Sequence, residues 1–128
     1  MAQPAGTTLY EWIGGEVAIR RIVEAFYPKV TADPKIGHLF PEDITPVMEK
    51  QFMFLTQLFG GPRLYTEAYG HPMMRARHLK FEIDVERAEA WLACMKAALE
   101  ETGLEPEKQA AVLERLKGPA YHFVNTVR

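Results

Sequence analysis

The sequence is poor in the features that mark exported, membrane or nucleic-acid-binding chains. It has one cysteine, Cys94, so no disulfide can close within it, which suits a reducing cytoplasm. No run approaches the roughly 20 consecutive apolar residues that a membrane span requires. The opening MAQPAGTT has neither the basic start nor the apolar stretch of a secretory signal. Neither sign of charge dominates: 15 Lys and Arg against 17 Asp and Glu give a formal net charge of −2, which leaves no electrostatic footprint for nucleic acid. The standard chemical motifs are missing as well. There is no GxSxG, no HExxH and no glycine-rich phosphate loop of either usual spacing. The four histidines, His38, His71, His78 and His122, are scattered and have no second thiol beside them, which argues against zinc.

Strand-like alternation is absent too, and helical spacing takes its place. From Gly15 to Ala32 the residues Ile19, Ile22, Val23, Phe26, Tyr27 and Val30 form one apolar stripe, closed by Asp33-Pro34. Pro28 lies inside it and predicts a bend just after Tyr27. Thr45-Pro46 predicts an N-cap and first helical residue for a helix running to Phe59, with Val47, Gln51, Phe54, Leu55 and Leu58 inward and Gly60-Gly61-Pro62 as its stop. Residues 62–70 read as loop, and His71-Pro72 starts a short helix that ends near His78. Asp84 caps the next helix, with Val85, Ala88, Trp91, Leu92, Met95 and Leu99 on one face and Gly103 after it. Pro106 opens the last helix, with Leu113, Leu116, Ala120, Phe123, Val124 and Val127 inward and a break or kink at Gly118-Pro119. At 128 residues, 48% hydrophobic and 25% charged, this is the length and balance of a single all-α domain with its own core. Cys94 reads as core filler.

His78 poses the chemical question. It ends GHPMMRARH, beside Arg75 and Arg77, which cannot accept a hydrogen bond from it. By itself it also reads as a structural residue, since helix C-termini favour cations. Haem is the cofactor for which one histidine suffices, because the porphyrin supplies the other four nitrogens. The arginines would then meet propionates, and the carbonyl of Met74 would accept the second ring N–H of His78. Aromatic and methionine side chains would line the slot. Tyr27, Gln51 and Trp91 each bring a donor onto the inward stripe of a different helix. Each donor could equally find a backbone carbonyl of its own.

With those residues in place the chain resembles a truncated haemoglobin of the second group over nearly its whole length. LYEWIGG at 9–15, FYPKV, HLFPED, QFMFLTQLFGGPRLYTE, GHPMMRARHLKF and ERAEAWLACM carry the likeness, and GHPxxRxRH followed by the tryptophan is its most specific part. Pro28 and Gly118-Pro119 depart from the family pattern. The resemblance implies a 2-over-2 helical sandwich around haem b (iron protoporphyrin IX), with His78 as the proximal iron ligand. It implies Tyr27, Gln51, Trp91, Val47 and Phe40 on the distal side, Val47 standing where ordinary haemoglobins have a histidine. Lys50, Tyr65 and Arg77 match propionate positions, and Phe54, Leu55, Met74, Phe81 and Met95 complete the cofactor surroundings. The implied partner is a diatomic gas, with an electron-donating reductase if the ligand is turned over, and a monomer or homodimer as the assembly. No membrane or nucleic-acid partner is expected. The expected functions are tight oxygen binding with redox chemistry, such as nitric oxide oxidation or peroxide turnover, or oxygen storage and delivery. A haem-free helical interaction module is the reading from another class. No catalytic residue is assigned.

Overall fold

Helix α1, Leu9–Ile13, begins where Thr8 and Glu11 cap each other. The Thr8 hydroxyl accepts the Glu11 amide at 3.0 Å and the Glu11 carboxylate accepts the Thr8 amide at 3.2 Å, a reciprocal box that satisfies two donors at once. Gly14 ends it at φ 118°, a conformation open to glycine. The chain is known here as a computed structural model that describes residues 3–70, 83–122 and 124.

Helix α2, Gly15–Ala32, buries the whole expected stripe, Ile19, Ile22, Val23, Phe26, Tyr27 and Val30. It continues through Pro28 as one element. Pro28 is exposed, so the carbonyl that loses its helical donor lies on the side where water can replace it. Asp33, extended at ψ 128°, closes the helix before Pro34 as expected. A 3-10 turn, Gly37–Leu39, leads to Phe40. Gly37 is required there, because a Cβ would stand 2.5 Å from the Thr31 carbonyl oxygen.

Helix α3, Thr45–Leu58, departs from the sequence reading in two ways. The N-cap is Ile44, with Thr45 already helical, and the Thr45 amide is taken by the Asp43 carboxylate at 3.1 Å. Asp43 supplies the acceptor that Thr45 was expected to provide. The buried positions are Phe52, Leu55 and Thr56, followed by Phe59, whereas Val47, Gln51, Phe54 and Leu58 are half-buried. Two apolar stripes overlap on this helix, and the one facing the core runs through Phe52.

Residues 62–70 are not simply loop: α4 spans Leu64–Tyr69. The Gln57 amide holds its start, accepting the Thr66 N–H at 3.0 Å and donating to the Thr66 hydroxyl at 2.7 Å. Six residues carry too little periodicity to announce a helix; a tertiary side chain nucleates this one.

Helix α5, Val85–Glu101, is capped by Asp84, whose carboxylate accepts the Arg87 amide at 2.8 Å. Ala88, Leu92, Met95 and Leu99 are buried as expected, and so is Cys94, while Val85 is exposed. Val85 is the first helical residue, ahead of the packed turns. Helix α6, Pro106–His122, is unbroken at Gly118-Pro119. Pro119 sits in its last turn, where one lost bond leaves the preceding turns intact. Leu116 and Ala120 are buried together with Val112, and Leu113 and Val124 are half-buried. Phe123 and Val127 lie outside the described residues.

The four long helices pack as one pair on another. Helix α2 packs on α3, α5 on α6, and the two pairs meet along α2 and α5. Helix α1 bridges α2 and α6, and its Tyr10 amide donates to the Phe59 carbonyl at 2.8 Å. Among the described residues there is no strand, and no helix is long and apolar enough to cross a membrane.

Candidate functional site

Tyr27 points inward from the middle of α2 and keeps only 4% of its surface exposed. Two rings hold it edge-on: Phe26 at 5.1 Å between centroids and 81°, Phe40 at 6.0 Å and 88°. Its hydroxyl has no hydrogen-bond partner among the described residues, although no fully buried side-chain nitrogen or oxygen there is left unpaired. The hydroxyl therefore keeps what little surface the residue retains and looks onto accessible space. Burial pushes its ionisation well above the ordinary phenol range, so the group stays a protonated donor.

Trp91 approaches the same place from α5. It is half-buried and meets Phe26 edge-on at 5.0 Å and 68°. Phe26, with no exposed surface, is thus wedged between the two polar aromatics and sets their spacing. The sequence placed Phe26 on the buried stripe but gave no sign of that role, since the contact joins residues on different helices. Gln51 and Val47 lie one turn apart on the half-buried face of α3. Neither the Gln51 amide nor the Trp91 indole has a hydrogen-bond partner among the described residues. Ring contacts join Tyr27 to Phe40 directly and to Trp91 by way of Phe26; no such contact joins Gln51 to them.

A second aromatic group flanks α3. Phe54 meets Tyr65 at 5.9 Å, and Tyr65 meets Tyr69 at 5.1 Å, with the Lys50 ammonium 5.2 Å above the Tyr69 ring. Lys50 and Tyr69 are exposed, and Tyr65 is buried. Leu55 and Met95 have no accessible surface and sit wholly within the core. His78, Met74, Arg77 and Phe81 lie outside the described residues, so the proximal side is carried by the sequence alone.

These residues suit the expected haem. Val47, Phe54 and Leu58 are apolar and half-buried on one face of α3, which fits a flat apolar macrocycle, and exposed Lys50 beside them is a cation for a carboxylate. Opposite in character, Tyr27, Gln51 and Trp91 offer side-chain N–H or O–H donors that no described residue engages. In a protein interior such donors normally have partners; a small polar ligand would supply one.

Comparison with known proteins points the same way. The family described as bacterial-like globin matches residues 8–125. A group 2 truncated haemoglobin of Bacillus subtilis is 50% identical over 116 residues, 91% of this chain and 87% of that protein. The crystal structure of the group II truncated haemoglobin from Bacillus anthracis superposes with a TM-score of 0.92 at 50% identity, covering 99% of this chain and 96% of that one. A truncated haemoglobin from Bacillus subtilis, described as oxygen-avid, gives 0.88 at 49% identity over 93% and 100%.

Proposed function

This chain belongs to the bacterial-like globins, within the truncated haemoglobins of the second group, and from that premise we propose that it holds oxygen tightly between Tyr27, Gln51 and Trp91 and releases it slowly. Its cofactor is haem b, whose iron supplies the bond to the diatomic ligand. His78 would be the protein's ligand to that iron, and Lys50 and Arg77 would meet the propionates.

The observation that carries the reading is that Tyr27 and Trp91, joined through Phe26, have no hydrogen-bond partner among the described residues; Gln51, likewise without one there, is read as the third donor from α3. Tyr27 is the strongest of them, because Phe26 and Phe40 fix its ring and burial keeps its proton in place. A hydrogen bond to a ligand that gathers negative charge contributes about 1.5–3 kcal/mol, and 1.4 kcal/mol is tenfold in a rate or equilibrium. The three contributions share one ligand and do not add in full. Val47 has no donor to offer, so the polar contacts come from the other three. The Bacillus subtilis relative's oxygen avidity accords with this.

Tight holding favours reaction over delivery. Donors aimed at the ligand also stabilise charge as an O–O bond breaks, which suits nitric oxide oxidation or peroxide turnover supported by an electron-donating reductase. Membership of the globins sets aside a haem-free interaction module.

The deciding measurement is the oxygen dissociation rate of the holoprotein, followed by carbon monoxide displacement in a stopped-flow mixer. We expect slow release, accelerated about tenfold or more by Tyr27→Phe. Fast release from the parent, unchanged by the substitution, would overturn the donor cage and make oxygen delivery the better account.

A further inference from the structure

We propose that Arg20 is a positioning residue for the ligand pocket, fixing the rotation of α3 and through it the aim of the Gln51 amide. The proposal rests on the reading of Gln51 as a ligand donor.

Arg20 extends from the first half of α2 and grips α3 at two points one turn apart. Its guanidinium carbon lies 3.9 Å above the centre of the Phe52 ring, and its Nη1 donates to the Glu49 carboxylate at 2.8 Å. Glu16 and Glu24, one turn either side on α2, add attraction for the cation and keep it on that face. The stacked contact and the hydrogen bond need different properties, a flat apolar-faced cation and a directional donor, and the planar guanidinium has both.

The grip does little for stability. Arg20 and Glu49 are 43% and 47% exposed, and ion pairs in that setting are largely screened. Its effect is orientational. Residues 49 and 52 flank Gln51, and at about 100° per residue the Gln51 side chain leaves the helix about a quarter-turn from Phe52. Side-chain tips stand about 5–6 Å from a helix axis, so about 10° of rotation moves the amide by about 1 Å. That is enough to lengthen a hydrogen bond beyond useful range. The fully buried constraints on rotation, Leu55, Thr56 and Phe59, lie toward the C-terminal end, while in the N-terminal half Ile44, Val47 and Met48 pack on the core only partly buried. At the N-terminal end the Asp43 carboxylate accepts the Thr45 amide, a local bond that ties α3 to no other helix. Arg20 is the polar clamp on the half that carries Gln51.

The test is a double-substitution cycle in the holoprotein, combining Arg20→Gln with Gln51→Leu and reading the oxygen dissociation rate. Arg20→Gln should release oxygen about three- to tenfold faster, and its effect should vanish when Gln51 is already leucine. The infrared band of bound carbon monoxide should broaden in Arg20→Gln, reporting an amide no longer held in one orientation. Arg20→Lys, which keeps the charge and loses the planar stack, should fall between. Thermal melting should barely move in any of them, which separates aim from folding. If Gln51→Leu alone accelerates release but Arg20→Gln does not, the clamp is wrong and the donor reading stands. If Gln51→Leu is itself silent, the donor reading of Gln51 fails and takes the clamp with it. An Arg20 effect that persists undiminished in the Gln51→Leu background also overturns the proposal.

Discussion

Tyr27 is nearly sealed from water and yet has a hydroxyl without a protein partner among the described residues. That combination has a signature in alkali. An ordinary phenol ionises at about pH 10; in the folded protein burial raises this group further. Below about pH 10 both folded and unfolded chains carry neutral tyrosine, so the stabilisation is whole. Above that, only the unfolded chain ionises, and stability falls as pH climbs toward the raised native value. Urea midpoints between pH 8 and pH 11 should therefore decline less steeply in Tyr27→Phe than in the parent. Parallel declines would show that the phenol ionises as freely folded as unfolded. At this scale the sequence was informative about Tyr27, because a donor on an apolar stripe is visible in one dimension; Gln51 and Trp91, read as inward in the same way, are half-buried. It was silent about Phe26, whose importance lies in being pressed between Tyr27 and Trp91.

Helices α3 and α4 show where periodicity loses its grip. Helix α2 has one stripe, and all of it is buried. Helix α3 offers two, through Val47-Gln51-Phe54-Leu58 and through Phe52-Leu55-Thr56-Phe59, and hydrophobicity alone does not rank them; the packing on α2 does. Helix α4 is shorter than two turns and depends on the Gln57 amide, which replaces backbone partners at Thr66. Gln57→Ala should cost about 1–2 kcal/mol and speed hydrogen exchange selectively in residues 64–69. Uniform exchange across the protein would mean that α4 is held by Tyr65 instead. Gly37→Ala tests the link between α2 and Phe40: a Cβ 2.5 Å from a backbone oxygen forces the turn to move. We expect a loss of about 1–3 kcal/mol in denaturant melts and a shifted ligand spectrum as Phe40 leaves the Tyr27 ring. An unchanged spectrum would uncouple the turn from the pocket.

Across the whole molecule the two-over-two packing of α2, α3, α5 and α6 was legible in outline, from four long stripes and their stops. The ion pairs across the described residues, Arg20–Glu49, Lys29–Glu101, Lys35–Glu86, Lys108–Glu105 and Lys117–Glu114, each have at least one exposed partner and contribute little. Cohesion comes from the apolar core and, on this reading, from the cofactor. Haem extraction should lower the melting temperature markedly, because a ligand that binds only the folded chain stabilises it by mass action. It should also raise hydrogen exchange in α3, where the apolar face is half-buried by protein alone. A melt unaffected by extraction would place that face against protein instead.

The bond from the Tyr10 amide to the Phe59 carbonyl ties the start of the described chain to the end of α3. Gly61 receives the Tyr10 ring so closely that a Cβ there would stand 2.8 Å from it. Such a long-range closure carries an entropy cost that local helices do not. Helix α1 therefore depends on the end of α3 for the surface that receives it. The two tryptophans stand at different contacts, Trp91 where α5 packs on α2 and Trp12 on the helix that carries this closure. The molecule thus carries a separate optical reporter on each.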